Sequence, residues 1–421
     1  MDSGEHLFRR EAGRITTALT RIFGVHNLAL VEDVVQDAFC RALETWRIRG
    51  VPENPSAWLM TTAKRRAIDV LRRERTARTF APELERQLQS EWTLVPTVAE
   101  TFQANAIKDD QLRMMFSCCH PRLSEQAQVA LVLHLLCGFS VSEIASAFLS
   151  GHAAIEKRIT RAKKVLAGTK QLFDLADRDF AVRLSAVQRA LYLLFNEGYH
   201  GASAESAVRT ELCREAMRLA AFLLDQPLAA TPATYALCAL MYLHAARLPA
   251  RVDLSGNLSS LRDQDRSRWD HGLMLKGQKL LELSAQGTTL TEYHVEAAIA
   301  AEHACAARAE DTNWQRIVAL YDRLLELRAS PVIALNRAIA VGQLEGPQRG
   351  LAEIYEIADS ERLAAYPFYA AALGELELRN GRREIARGHF CTARALARND
   401  MEKRFLDLRV HACDAEDSML R

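Results

Sequence analysis

Apolar residues recur every three or four positions along most of the chain. That is the period of an amphipathic helix, and few stretches alternate as a half-buried strand does. From about Leu30 to Trp46, a stripe of Val31, Val34, Val35, Ala38, Phe39, Ala42 and Trp46 predicts a helix. Glu32, Asp33, Gln36, Asp37, Arg41 and Glu44 lie on its other face. The next helix has a marked start, with Asn54 suited to the N-cap and Pro55 to the first helical position. It reads PSAWLMTTAKRRAIDVLRRE, and Leu59, Ala63, Ile68 and Leu71 are predicted to face inward.

A further pattern opens at Ser124. Val129, Ala130, Leu133 and Leu136 form an inner face, and Gly138 fits the left-handed position after a helix end. Ser140 and Glu143 have capping-box spacing for a short helix carrying Ile144, Ala145 and Phe148. Ser150-Gly151 predicts a turn. A last helix from about His152 places Ile155, Ile159, Ala162 and Leu166 inward and Lys157, Arg158, Arg161, Lys163 and Lys164 outward.

These patterns divide the chain into four stretches: 1–79, a poorly periodic connector at 80–107, a compact helical unit at 108–172, and an Ala/Leu-rich array at 180–421. The connector holds Pro82 and Pro96 and mainly acidic charge (Glu83, Glu85, Glu91, Glu100). From about residue 312 the array repeats weakly. Trp314 and Tyr321 fit one unit, Ala338, Gly350 and Ile354 a degenerate one, and Leu373, Gly374, Ala386, Phe390 and Ala393 another. The spacing is that of a tetratricopeptide-like (TPR-like) array of helix pairs, which stack into a grooved solenoid. Such a groove serves as a protein- or peptide-binding surface or else braces the domains before it. The predicted fold class is all-α.

Composition agrees. Gly (19) and Pro (11) are scarce in 421 residues, and Ala, Leu and Arg cost little inside a helix. The nine cysteines form no CxxC pair, which points to buried thiols in a reducing cytosol. No secretion signal or membrane span is expected, so the expected location is cytoplasmic.

Net charge is only +1, so nucleic-acid binding must be argued locally. Lys64, Arg65, Arg66, Arg72, Arg73, Arg75 and Arg78 against Asp69 and Glu74 leave +5 on the Asn54-capped helix. Trp58, Thr61 and Thr62 lie just before this cluster. Aromatic and hydroxyl groups beside cations suit melted nucleic acid, although a basic helix with a core tryptophan is the alternative. The helix from His152 to Lys170 also nets +5. A short helix, a turn and a basic second helix form a helix-turn-helix, which sets the second helix in the major groove.

Other polar groups carry less. Asn196-Glu197-Gly198-Tyr199-His200 reads as a helix-end Glu197 and a core His200. Arg251, Asp253, Asp263, Asp265, Arg266, Arg268 and Trp269 read as a charged loop. Cys118-Cys119-His120 reads as core thiols and a turn histidine, since adjacent residues converge poorly on a metal. No nucleophile–base pair, phosphate loop or metal-ligand spacing stands out, so no cofactor, metal or enzymatic activity is expected.

The stretches VEDVVQDAFCRALETW, NPSAWLMTTAKRRAIDVLRRE and LSEQAQVALVLHLLCGFSVSEIASAF, with the basic helix after them, resemble extracytoplasmic-function sigma factors of RNA polymerase. The likeness covers their sigma-2 and sigma-4 domains over roughly residues 7–170. It implies that Asp33, Gln36, Asp37 and Arg41 dock on the β′ clamp helices of core RNA polymerase and that sigma-4 meets the β flap. Asn54, Trp58, Lys64, Arg65, Arg66, Arg72 and Arg73 would hold the melted −10 element, with the loop Arg47–Asn54 capturing a flipped base. His152, Lys157, Arg158, Arg161 and Lys164 would read the −35 element of promoter DNA. The acidic connector would thread polymerase channels near the nascent RNA. The stretch after sigma-4 resembles a subgroup with a long C-terminal extension, open to a regulatory role or a protein partner. The turn Leu149-Ser150-Gly151-His152 departs from that subgroup's pattern. An alternative function is a helix-turn-helix regulator with a TPR-like sensor that does not join core polymerase. A further one is a helical scaffold or enzyme whose basic units are incidental.

Overall fold

The computed structural model describes residues 2–77, 104–148, 150–168, 177–201, 207–253 and 255–414. Among them the chain is all helical: nineteen α-helices, four short 3-10 turns, no strand, and one isolated bridge between Val252 and Leu258. The chain divides into two compact units, Met1–Leu191 and Tyr192–Arg421.

The first unit begins with α1 (Asp2–Phe23), α2 (Leu28–Arg49) and α3 (Pro55–Ala77). The apolar stripe of α2 is buried as its periodicity predicts. Val31, Val34, Val35, Ala38 and Ala42 pack with Ile15 and Leu19 of α1 and with Leu59, Ala63 and Ala67 of α3. Helix α2 ends where Gly50 takes φ +80° and its N–H bonds to the Trp46 carbonyl. Asn54 caps α3 as expected, its Oδ1 accepting the Ala57 N–H at 2.9 Å. Ile68 and Leu71 are only half-buried.

The expected connector with Pro82 and Pro96, together with Arg78, Leu149 and Lys170, lies outside the described residues. The next helices are α4 (Ala104–Cys118), α5 (Glu125–Leu135), α6 (Val141–Ala147) and α7 (His152–Ala167). Gly138 takes φ +66°, the left-handed position expected of it. The Ser140–Glu143 capping box is complete. The Ser140 N–H donates to Glu143 Oε2 at 2.8 Å, and the Glu143 N–H donates to Ser140 Oγ at 3.2 Å. Ile155, Ile159, Ala162 and Leu166 of α7 are buried. Cys118 and Cys119 are core thiols, and His120 sits in the turn before α5. Burial pushes the Cys119 thiol up to about 12 and raises Cys118 as well.

Helix α5 is enclosed on more faces than its inner stripe predicts, with Ala127, Leu131, Val132 and Leu135 buried too. The cause is α1, which packs across α5. A Cβ on Gly13 would stand 2.0 Å from the Leu136 carbonyl oxygen, so only glycine allows this approach. Arg21 of α1 reaches Asp110 of α4 at 2.8 Å. The two helical modules of the first unit are therefore packed together.

Helix α8 (Asp177–Tyr199) runs across the division between the units. The second unit continues with α9 (Thr210–Leu224), α10 (Pro232–Ala245), α11 (Leu248–Arg251), α12 (His271–Ser284) and α13 (Glu292–Cys305). Then come α14 (Trp314–Leu327), α15 (Pro331–Leu344), α16 (Pro347–Tyr355), α17 (Pro367–Arg379), α18 (Arg383–Leu396) and α19 (Asp400–Asp414). From α14 onward each helix packs chiefly on its chain neighbours. Small residues set the spacing. Gly374 lets the Phe390 ring lie against the α17 backbone, and Gly350 meets Gly342 where α15 and α16 cross. Asp265 caps a short turn and Asp270 caps α12, so the charged loop before α12 is held by its own carboxylates.

Candidate nucleic-acid interface

On α2, Asp33, Gln36, Asp37 and Arg41 are all exposed on the face opposite the core. Leu43, Val51 and Ile48, the last 84% exposed, extend that face with apolar groups that helix periodicity alone does not mark as functional. An exposed apolar run rimmed by charge is a common feature of docking surfaces. Glu32, at the edge of the same polar face, is less exposed than its neighbours Asp33, Gln36 and Asp37. It is half-buried and accepts from Lys163 of α7 at 2.7 Å, with His134 of α5 at 3.1 Å. Burial raises the Glu32 carboxyl, but the hydrogen bond to His134 and the charge and hydrogen bond of Lys163 outweigh that and hold it below its ordinary value.

On α3, Arg65, Arg72 and Arg73 are exposed, and Lys64 and Arg66 are half-buried. Arg66 Nε donates to Asp37 at 3.1 Å, so α2 and α3 share a shallow cleft lined by Asp37, Arg41, Glu44, Thr62 and Arg66. One residue expected on a polymerase surface and one expected on DNA are thus in direct contact. Trp58 is half-buried, its ring edge against Trp46 at 5.5 Å, which leaves only part of the indole for stacking. Asn54 spends its carbonyl oxygen on the cap, leaving the side-chain NH2 as its other hydrogen-bonding group.

On α7, His152, Lys157, Arg161 and Lys164 are exposed. Arg158 is half-buried, and its Nη1 is enclosed without a hydrogen-bond partner among the described residues. Lys163 is a correction: it was expected on the outer face, and it turns instead to Glu32. Its position one residue after the buried Ala162 gave no hint of this, because the partner lies 131 residues away in sequence.

The arrangement presents cationic side chains from two helices, one of them the second helix of a helix-turn-helix, with an acidic and apolar helix face beside the other. Residues 7–77 match sigma-70 region 2, residues 113–166 match sigma-70 region 4, and residues 183–285 match a family of unknown function (DUF6596). An uncharacterized protein of Rhizobium meliloti (strain 1021) is 38% identical over 401 residues, covering 95% of this chain and 93% of that protein. The chain belongs to the extracytoplasmic-function type of sigma-70 family sigma factors, with a C-terminal extension.

Proposed function

We propose that the chain is a promoter-opening subunit whose α2 face (Asp33, Gln36, Asp37, Arg41) docks on the β′ clamp helices of core RNA polymerase. Asn54, Trp58, Lys64, Arg65, Arg66, Arg72 and Arg73 hold the melted −10 strand. His152, Lys157, Arg158, Arg161 and Lys164 bind the −35 duplex, with sigma-4 against the β flap. Extruding a base costs a few kcal/mol, and a site that holds the extruded base offsets that cost. The polymerase performs the chemistry. The region from Trp314 onward acts as a TPR-like surface for a regulatory partner.

The observation that carries this reading is the presence in one unit of a capped helix-turn-helix with exposed Lys157, Arg161 and Lys164 and of a second cationic helix following the α2 face. The same unit sets a geometric condition. Elements named −35 and −10 lie nominally about 25 base pairs apart, which is roughly 85 Å of duplex at ~3.4 Å per pair. A packed unit of this length has a radius of gyration of only about 16 Å. On this reading the contacts Lys163–Glu32 and Arg21–Asp110 break before both elements are bound.

Run-off transcription with core polymerase and the full chain, with permanganate footprinting of melted thymines, tests the reading. Arg65→Ala should impair opening more than duplex binding, and Arg161→Ala should weaken duplex binding. Asp33→Ala with Asp37→Ala should abolish association with core. Unchanged association, or promoter opening that does not depend on this chain, defeats it.

A further inference from the structure

The C-terminal unit gathers cations where a folded core ordinarily excludes them. Arg247 is 7% exposed, and its side chain makes one long hydrogen bond, 3.4 Å to Gln264 Oε1. Arg251 lies 4.3 Å over the Tyr199 ring, with Nη2 3.3 Å from His200 Nδ1 and an enclosed Nε that has no partner. Neither arginine has an ion pair among the described residues. The Tyr199 hydroxyl, on a residue 2% exposed, is also unpartnered, as is Nδ1 of the neighbouring His244. His200 is the exposed member of the group and stands 6.4 Å from the Phe368 ring, so the end of α8 meets the start of α17 here. Segments far apart in sequence therefore converge on one cluster, with His200 as its solvent-exposed member.

A guanidinium taken out of water without a counter-charge is costly. The ring faces of Tyr199 and Trp269, over which Arg251 and Arg247 lie, offset a small part of that cost. The histidines add no competing positive charge. Burial, then Arg247 and Arg251, bring His244 down to about 3. His200, crowded on all but its open side, is lowered by that crowding and then by Arg251. The cluster thus holds unpartnered polar atoms beside two guanidinium charges, in a setting of low dielectric where both act strongly on an anion.

We propose that this cluster opens beside His200 to bind a small oxyanion, a phosphate- or carboxylate-bearing molecule, through Arg247 and Arg251 with the Tyr199 hydroxyl as a further donor. The forked guanidinium suits either oxyanion. The depth of Tyr199 and Arg247 favours a small molecule over an acidic protein surface, which could not reach them. The inference is independent of promoter binding. It gives the extension a ligand of its own, one that stabilises the unit in proportion to occupancy.

The test uses the full chain at constant ionic strength, titrated with inorganic phosphate, with citrate, and with an Asp/Glu-rich octapeptide, and read by thermal unfolding and calorimetry. Saturable binding of phosphate or citrate is expected, and which of the two binds identifies the anion class. Arg251→Gln should weaken binding at least 10-fold. Tyr199→Phe, which removes one oxygen and keeps the ring under Arg251, should weaken it several-fold. Arg308→Gln, at an exposed arginine paired with Asp311, should leave it unchanged. Three results would overturn the proposal: no saturable response to either anion, equal responses in Arg251→Gln, Tyr199→Phe and Arg308→Gln, or saturation by the octapeptide alone.

Discussion

Lys157, Arg161 and Lys164 of α7 stand in water, whereas Arg247 of the C-terminal unit is enclosed and without a carboxylate partner among the described residues. The same type of charge costs almost nothing in the first setting and a good deal in the second. Exposed cations on a helix are cheap, screened by salt, and useful against a polyanion whose own counterions they release. Enclosed cations are costly to keep, so their retention points to an occupant that supplies the missing charge. Lys163 falls between the two. It is half-buried, but Glu32, itself held by His134, supplies its counter-charge.

The largest effect should come from the exposed side. Replacing Lys157, Arg161 and Lys164 together with alanine should weaken duplex binding on the order of 100-fold and reduce the salt slope by about 0.9 per lost phosphate contact. Unfolding free energy should move by no more than about 0.5 kcal/mol, and a urea titration run beside the binding assay checks both. The enclosed side should respond in the opposite sense. Without added anion, Arg247→Met should raise the unfolding free energy by about 1–2 kcal/mol, because an unpaired buried charge is removed. A loss of stability there would make Arg247 an ordinary packing residue.

Glu32→Gln probes the intermediate case. The folded carboxyl is held below its ordinary value, so its stabilisation is present above the unfolded value near 4.5 and is lost as pH falls through the folded one. Wild type should exceed Glu32→Gln by about 1 kcal/mol at pH 7, and the gap should close under acid conditions. A gap that stays constant with pH would show that the ion pair is not its source. The smallest stability effect belongs to Asp37→Ala. Its pair with Arg66 is exposed on both sides and should contribute less than about 0.5 kcal/mol. A larger change in unfolding free energy would make Asp37 structural rather than a docking group.

Much of the local structure was legible. Asn54 with Pro55, the Ser140–Glu143 box and Gly138 mark helix ends through hydrogen bonds and dihedrals that involve only near neighbours, and each appears where expected. The stripe of α2 and the inner residues of α7 follow from period alone. Other readings failed where the deciding partner was remote. His200 was expected in the core and is exposed. Lys163 was expected in solvent and is paired with Glu32. The run VALVLHLL in α5 is apolar nearly all round, which marks a helix enclosed on every side, and α1 supplies the second cover.

From the sequence alone came the all-helical class, the caps at Asn54 and Ser140, the order of two cationic helical modules, and their likeness to sigma-2 and sigma-4. These rest on interactions within a few residues, whose geometry a periodic pattern encodes directly. Only the tertiary structure decided that Gly13 admits α1 against Leu136 and that Arg21 finds Asp110. Only it gathered Tyr199, Arg247 and Arg251 into one cluster. Apolar faces are interchangeable at the level of pattern, and a charge carries no mark of its distant partner. Which faces meet, and which charges are left unpaired, is settled only when the whole chain packs.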